Sequence, residues 1–204
     1  MTNNSKKIRS LAIITSTLFL LTTNAYAHPG HIGDHDMWHM LMHGLEHPLT
    51  GIDHLLAMLA VGIWSALTHK TAREAIALPF AFVALLLVGA VLGLVGVHLP
   101  AVEPMIVASL LVLGLLVAGQ VTMKSVFSYA LVGLFALFHG LAHGMELPQS
   151  NGAVAFIIGF VVTTLALHLS GLFIGFKIKA HSKWISRLLG VGIAGYGALL
   201  LAGV

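Results

Sequence analysis

The sequence of 204 residues contains no cysteine, which excludes disulfides, thiolate zinc sites, iron–sulfur clusters and thiol catalysis. Charge is nearly as scarce. Ten Lys+Arg and seven Asp+Glu amount to 8% of the chain, where a soluble domain carries about a quarter. With 58% hydrophobic residues and a mean hydropathy of +0.97, a water-soluble globule is excluded. The length accommodates several spans of roughly 20 apolar residues but no sizeable soluble domain beside them. There is also no G-x-x-x-x-G-K-[ST] segment, so no nucleotide-hydrolysing loop is expected. The formal net charge of +3 is read as a property of the loops of a membrane chain, not as nucleic-acid binding. Histidine is the polar residue in excess: there are 13, of which His28, His31, His35, His39, His43, His47 and His54 fall within residues 28–54. Such a count points to metal chemistry.

Residues 1–27 read as a secretory signal peptide: Lys6, Lys7 and Arg9 precede an apolar core, Leu11–Leu21, and Ala25-Tyr26-Ala27 forms an A-x-A cleavage site. A His-rich extracytoplasmic segment, 28–47, is expected to follow, and then a transmembrane permease domain, 48–204. The expected fold class is all-α, a polytopic membrane protein of six transmembrane helices, at about 49–67, 76–97, 104–121, 126–142, 152–175 and 185–203. Lys70 and Arg73 lie in the first loop, Lys124 in the third, and Lys177, Lys179, Lys183 and Arg187 in or beside the fifth; the second and fourth loops hold no Lys or Arg. This split assigns the basic loops to the cytoplasm and both mature termini to the other side of the inner (cytoplasmic) membrane. The His-rich segment reads either as several weak, exchangeable metal-binding pairs or as an amphipathic stretch at the headgroups.

Two polar clusters stand where ionisable groups are costly. The first is His47-Pro48-Leu49-Thr50-Gly51-Ile52-Asp53-His54, at the mouth of the first span. Pro48 suits the first turn of a helix. His47 and His54, seven residues apart, would lie within about 20° of each other on that helix. The second is Phe138-His139-Gly140-Leu141-Ala142-His143-Gly144-Met145-Glu146, at the end of the fourth span, with Pro148 expected to stop the helix. His139 and His143 are one turn apart and Glu146 returns to the face of His139. The first span enters, and the fourth leaves, on the same side, so four imidazoles and two carboxylates can converge. Neutral imidazoles with few carboxylates suit Ni²⁺, Co²⁺ or Zn²⁺ and disfavour Ca²⁺ or Mg²⁺. His168, near Thr163, Thr164 and Ser170 in the fifth span, reads either as a second stop on an inward path or as a packed core histidine; His69 and His181 are expected to be solvated in loops.

At these motifs the chain resembles the HupE/UreJ family of nickel and cobalt permeases, whose members share H-x5-D-H in the first mature helix and F-H-G-x-[AV]-H-G-x-E in a later one. His47–His54 and Phe138–Glu146 match without departure. The resemblance implies secondary uptake of Ni²⁺ or Co²⁺ for hydrogenase, urease or cobalamin-dependent enzymes. Metal positions would be His47, Asp53, His54, His139, His143 and Glu146. No tightly bound cofactor and no catalytic residue is expected; the ion is cargo, with Zn²⁺ a third candidate. An intramembrane zinc-dependent hydrolase and a membrane-anchored metal chaperone would use a similar inventory, so the residues alone leave both open.

The charge split generates a direct test. Single cysteines at Gln149 and Val204 should react with a membrane-impermeant thiol reagent in intact cells, and one at Ser182 should be protected. Labelling at Ser182 without labelling at Gln149 would reverse the orientation.

Overall fold

The computed structural model describes residues 37–147, 152–181 and 183–203. The signal segment, His28, His31, His35 and Pro148 lie outside them. Seven helices account for the described chain: α1 (Met37–Thr50), α2 (Ile52–Thr68), α3 (Ala72–Leu94), α4 (Val102–Gly119), α5 (Ser125–Glu146), α6 (Gly152–His181) and α7 (Lys183–Leu201). Five of them, α3 to α7, are long and apolar enough to cross a membrane; α1 and α2, bent by 77° at their junction, make a sixth span when taken together. The protein is thus an all-helical, multi-pass membrane protein. Large apolar side chains such as Phe80, Val91, Val162, Phe173 and Leu188 face outward, as expected where lipid replaces water.

The first span differs from its expectation. His47 and His54 do not share a helix, because α1 ends at Thr50 and α2 begins at Ile52. Pro48 is not in a first turn; it lies buried near the end of α1. Its ring cannot donate to the preceding turn, and the Thr50 hydroxyl then donates to the His47 carbonyl at 2.9 Å, satisfying one of the last acceptors of the helix. Gly51 is extended (φ −90°, ψ 111°) and turns the chain.

Glycine decides how the helices meet. On α3 and α5, which run parallel, Gly89 packs against the backbone of Leu137, Gly93 against Leu141, Gly140 against Leu86 and Gly144 against Ala90. Gly62 of α2 meets the carbonyl of His168, and Gly171 of α6 meets Leu59. On α4 and α7, Gly114 and Gly190 approach one another's helices in the same way. Small residues allow such contacts, and van der Waals packing there substitutes for the hydrophobic drive that is missing in lipid.

The end of the bundle away from the two motifs is closed by polar bonds that repair backbone defects. Pro79 lies inside α3 and leaves the Ala75 carbonyl without its helical donor; the buried Ser65 hydroxyl donates to that carbonyl at 2.8 Å. Lys179 Nζ donates to the carbonyls of Ala66 (3.1 Å) and His69 (2.9 Å) at the end of α2, a favourable place for a cation. His69 is half-buried rather than solvated, its Nδ1 3.0 Å from the Ser65 carbonyl. Trp64 Nε1 donates to the Val121 carbonyl at 2.9 Å.

A methyl group at Gly140 would press on the Leu86 carbonyl, whereas one at Gly192 would meet nothing within 4 Å. Gly140→Ala should therefore lower thermal stability in detergent, by about 1–3 kcal/mol on the scale of overpacked cores, and Gly192→Ala should leave it unchanged. Equal unfolding temperatures for the two variants would refute the close α3–α5 contact.

Candidate metal centre

The two motifs meet between α1, α2 and α5. The His47 ring, from α1, lies edge-on to His143 of α5, with centroids 4.7 Å apart. His54, from α2, stands 4.6 Å from His143, 5.1 Å from His139 and 6.5 Å from His47. The bend at Gly51 thus brings His47 and His54 to the same pair of α5 imidazoles from two differently directed helices. His139 is fully buried and His143 nearly so.

The hydrogen bonds of these rings dictate which nitrogens remain. A carbonyl can only accept, so His139 Nδ1–H donates to Phe135 O at 2.9 Å. In the neutral ring Nε2 is then a lone pair, and it has no hydrogen-bond partner among the described residues. His54 Nδ1 lies 3.1 Å from Asp53 Oδ1. A carboxylate on one ring nitrogen fixes the tautomer and makes the other nitrogen a better metal donor, and His54 Nε2 is likewise buried and unpartnered among the described residues. Neither ring nitrogen of His143 has a hydrogen-bond partner among them; its Nδ1 is 3.9 Å from Glu146 Oε2. Leaving buried polar atoms unsatisfied costs about 1–3 kcal/mol each. Several such atoms lie close together here, and imidazole lone pairs are the atoms a metal ion would use.

All six residues expected from sequence are drawn together, in two groups. His47, His143 and Glu146 offer ligand atoms that all lie within 4.8 Å of one another. His54 and His139 form the deeper part, with Asp53 held against His54. Asp53 is paired with His54, and Glu146, whose side chain is 55% exposed, lies at the rim. His43, exposed on α1, adds a ring 5.9 Å from His47.

Some contributors carry no signal in either motif. Phe156 and Phe160 of α6 line the cluster: Phe160 is 4.5 Å from the His143 ring and Phe156 is 5.5 Å from His47. They lie on another helix, and phenylalanines in an apolar span look like any others. Thr163 of α6 donates to the Leu45 carbonyl at 2.8 Å and ties α1 to the bundle. Gly51 could have been noticed, since a glycine three residues after a proline is a turn signal.

A Cβ at Gly51 would come within 2.9 Å of Asp53 Oδ1 and 3.3 Å of His54 Nδ1. The Asp53 carboxylate can rotate away, so Gly51→Ala should fold normally yet lose the Asp53–His54 contact. Binding of Co²⁺ by the detergent-solubilised protein, followed in the visible absorption of the ion, should weaken by roughly tenfold, equivalent to about 1.4 kcal/mol. Unchanged affinity would mean that Asp53 does not orient His54 for a metal.

Comparison with known proteins gives a consistent result. The family model described as HupE / UreJ protein matches residues 16–200. Protein HupE of Rhizobium leguminosarum bv. viciae is 38% identical over 191 residues, covering 93% of this chain and 97% of that protein. No solved structure matches the chain.

Proposed function

We propose that this chain, which belongs to the HupE/UreJ family, is a secondary transporter that takes up Ni²⁺ or Co²⁺ across the cytoplasmic membrane for metalloenzyme maturation. The observation that carries the reading is the group of imidazoles His54, His139 and His143, whose buried free nitrogens have no hydrogen-bond partner among the described residues. Unpartnered imidazole nitrogens of neutral rings suit borderline divalent ions, and they lie inside a membrane bundle instead of a solvent-facing cleft.

Each residue then has a task. His43 and His47 receive the ion with Glu146 at the rim, where a carboxylate attracts a hydrated cation. His143 passes it inward, since its ring is adjacent to both His47 and His54. His54 and His139 hold it deepest, with Asp53 supplying a negative charge that offsets part of the ion's own. Ligand exchange between adjacent rings replaces water stepwise, so the ion is never bare. In the orientation implied by the basic loops, the cluster opens to the extracytoplasmic side. A membrane potential negative inside then favours inward movement of a divalent ion by roughly 2 × 2.3 kcal/mol per 100 mV, so uptake needs no nucleotide. Hydrogenase, urease or cobalamin maturation would be the consumer of the ion.

The decisive experiment is flux of radioactive Ni²⁺ and Co²⁺ into sealed vesicles containing the purified protein, with an imposed potential. Wild-type protein should accumulate at least one of the ions, and Asp53→Ala and His139→Ala, confirmed as inserted, should reduce the rate by roughly 100-fold or more, the upper end for lost metal-site support. Metal binding without flux would support a chaperone. Stoichiometric zinc that survives dialysis would support a hydrolase. Wild-type rates in both variants would sink the shared site.

A further inference from the structure

Below the His54–His139 pair, the interior holds one more imidazole. His168 of α6 is fully buried. Its Nδ1–H donates to the Thr164 carbonyl at 2.7 Å, which in the neutral ring leaves Nε2 as a lone pair. That Nε2 has no hydrogen-bond partner among the described residues, and neither does the Oγ1 of Thr164, itself fully buried. Thr164 and His168 are one helical turn apart and so share a face of α6. Here two polar atoms on successive positions of one face are buried and unused.

The position of His168 is fixed by its neighbours. Its carbonyl packs against Gly62 of α2, eight residues past His54, so it lies about 12 Å farther along the helix axis. Phe82 of α3, fully buried, reaches both levels. Its ring is 5.9 Å from that of His139 and 4.8 Å from that of His168. An apolar ring therefore touches two imidazoles that each present an open nitrogen. A phenyl face tolerates a passing cation better than an aliphatic side chain does, yet it supplies no ligand on which the ion could rest.

We propose that His168 and Thr164 form a second, inner station for the same class of ion, a partly dehydrated borderline divalent cation, and that Phe82 is the divider across which the ion passes from the outer cluster. This rests on the permease reading for its direction, but not for its chemistry. The two stations are occupied in turn, because two divalent ions this close in a low-dielectric bundle repel strongly. His168 is thus a binding residue for the ion in transit, and the outer cluster is expected to keep its affinity without it.

The test combines binding in detergent with vesicle flux, using Co²⁺ as the probe in both. His168→Gln should retain the Co²⁺ affinity of the outer cluster while its maximal flux drops roughly 10–100-fold, the range seen when one supporting partner of a metal is lost, with an unchanged half-saturating concentration. Phe82→Trp, which enlarges the divider, should show the same pattern. Wild-type flux in His168→Gln overturns the proposal. Loss of outer-cluster affinity in His168→Gln also overturns it, because His168 would then support the fold of that cluster. If wild-type vesicles move neither Co²⁺ nor Ni²⁺, the permease reading fails, and the inner station is decided separately by binding. In that case His54→Ala should retain a weaker Co²⁺ absorption that disappears in His54→Ala/His168→Gln. Absence of that absorption in His54→Ala, or its persistence in the double variant, excludes an inner station.

Discussion

Backbone contact at glycine is the constraint from which the remaining geometry follows. Gly140 and Gly144, which interleave with His139 and His143 in the α5 motif, rest against the backbones of Leu86 and Ala90 in α3. Any side chain there would push the helices apart. Since α5 carries its two histidines on the turns that hold these glycines, the same contact that packs the helix also sets the depth and rotation of the rings. The glycines of F-H-G-x-A-H-G-x-E are therefore packing residues, and the histidine just before each is aimed by that packing. In lipid, where apolar side chains gain little by leaving their surroundings, such contacts carry much of the association.

A second constraint is the accounting of backbone hydrogen bonds. Backbone carbonyls in the bundle are met by side chains from distant parts of the sequence. Ser65 answers the Ala75 carbonyl exposed by Pro79, and Thr163 reaches the Leu45 carbonyl across 118 positions of sequence. Against this background, the buried side-chain atoms without a hydrogen-bond partner among the described residues are the imidazole nitrogens of His54, His139, His143 and His168 and the hydroxyl of Thr164. They belong to α2, α5 and α6.

Much of this was legible in the sequence. The scarcity of charge and the apolar runs placed the helices: the expected fourth span, 126–142, corresponds to Ser125–Glu146, and the expected sixth, 185–203, to Lys183–Leu201. Convergence of the two motifs followed from which ends of which spans carry them. What periodicity could not reveal was the break at Gly51. Helical spacing placed His47 and His54 on one face, and the rings do end near each other, but across a 77° bend and through His143 as intermediary. Helical periodicity presupposes one unbroken helix and so carries no sign of such a break. Phe82, Phe156 and Phe160 were illegible for a related reason: their significance lies in a neighbour on another helix, and a single sequence records no such pairing.

Lys179, gripping the carbonyls of Ala66 and His69, has a mechanical consequence. Together with the glycine contacts at Gly62, Gly171 and Gly175, it joins α2 and α6 along their length into one rod, just as Gly89, Gly93, Gly140 and Gly144 join α3 and α5 into another. His54 and His168 ride on the first rod; His139, His143 and Phe82 ride on the second. Within a rod, separation would break backbone contacts, so distances there are stiff. Between rods the contacts around the cluster are side chain to side chain. A rigid-body movement of one rod against the other would therefore shift His54 relative to His139 and His168 relative to Phe82 together, and would have to break the Ser65–Ala75 bond that ties α2 to α3.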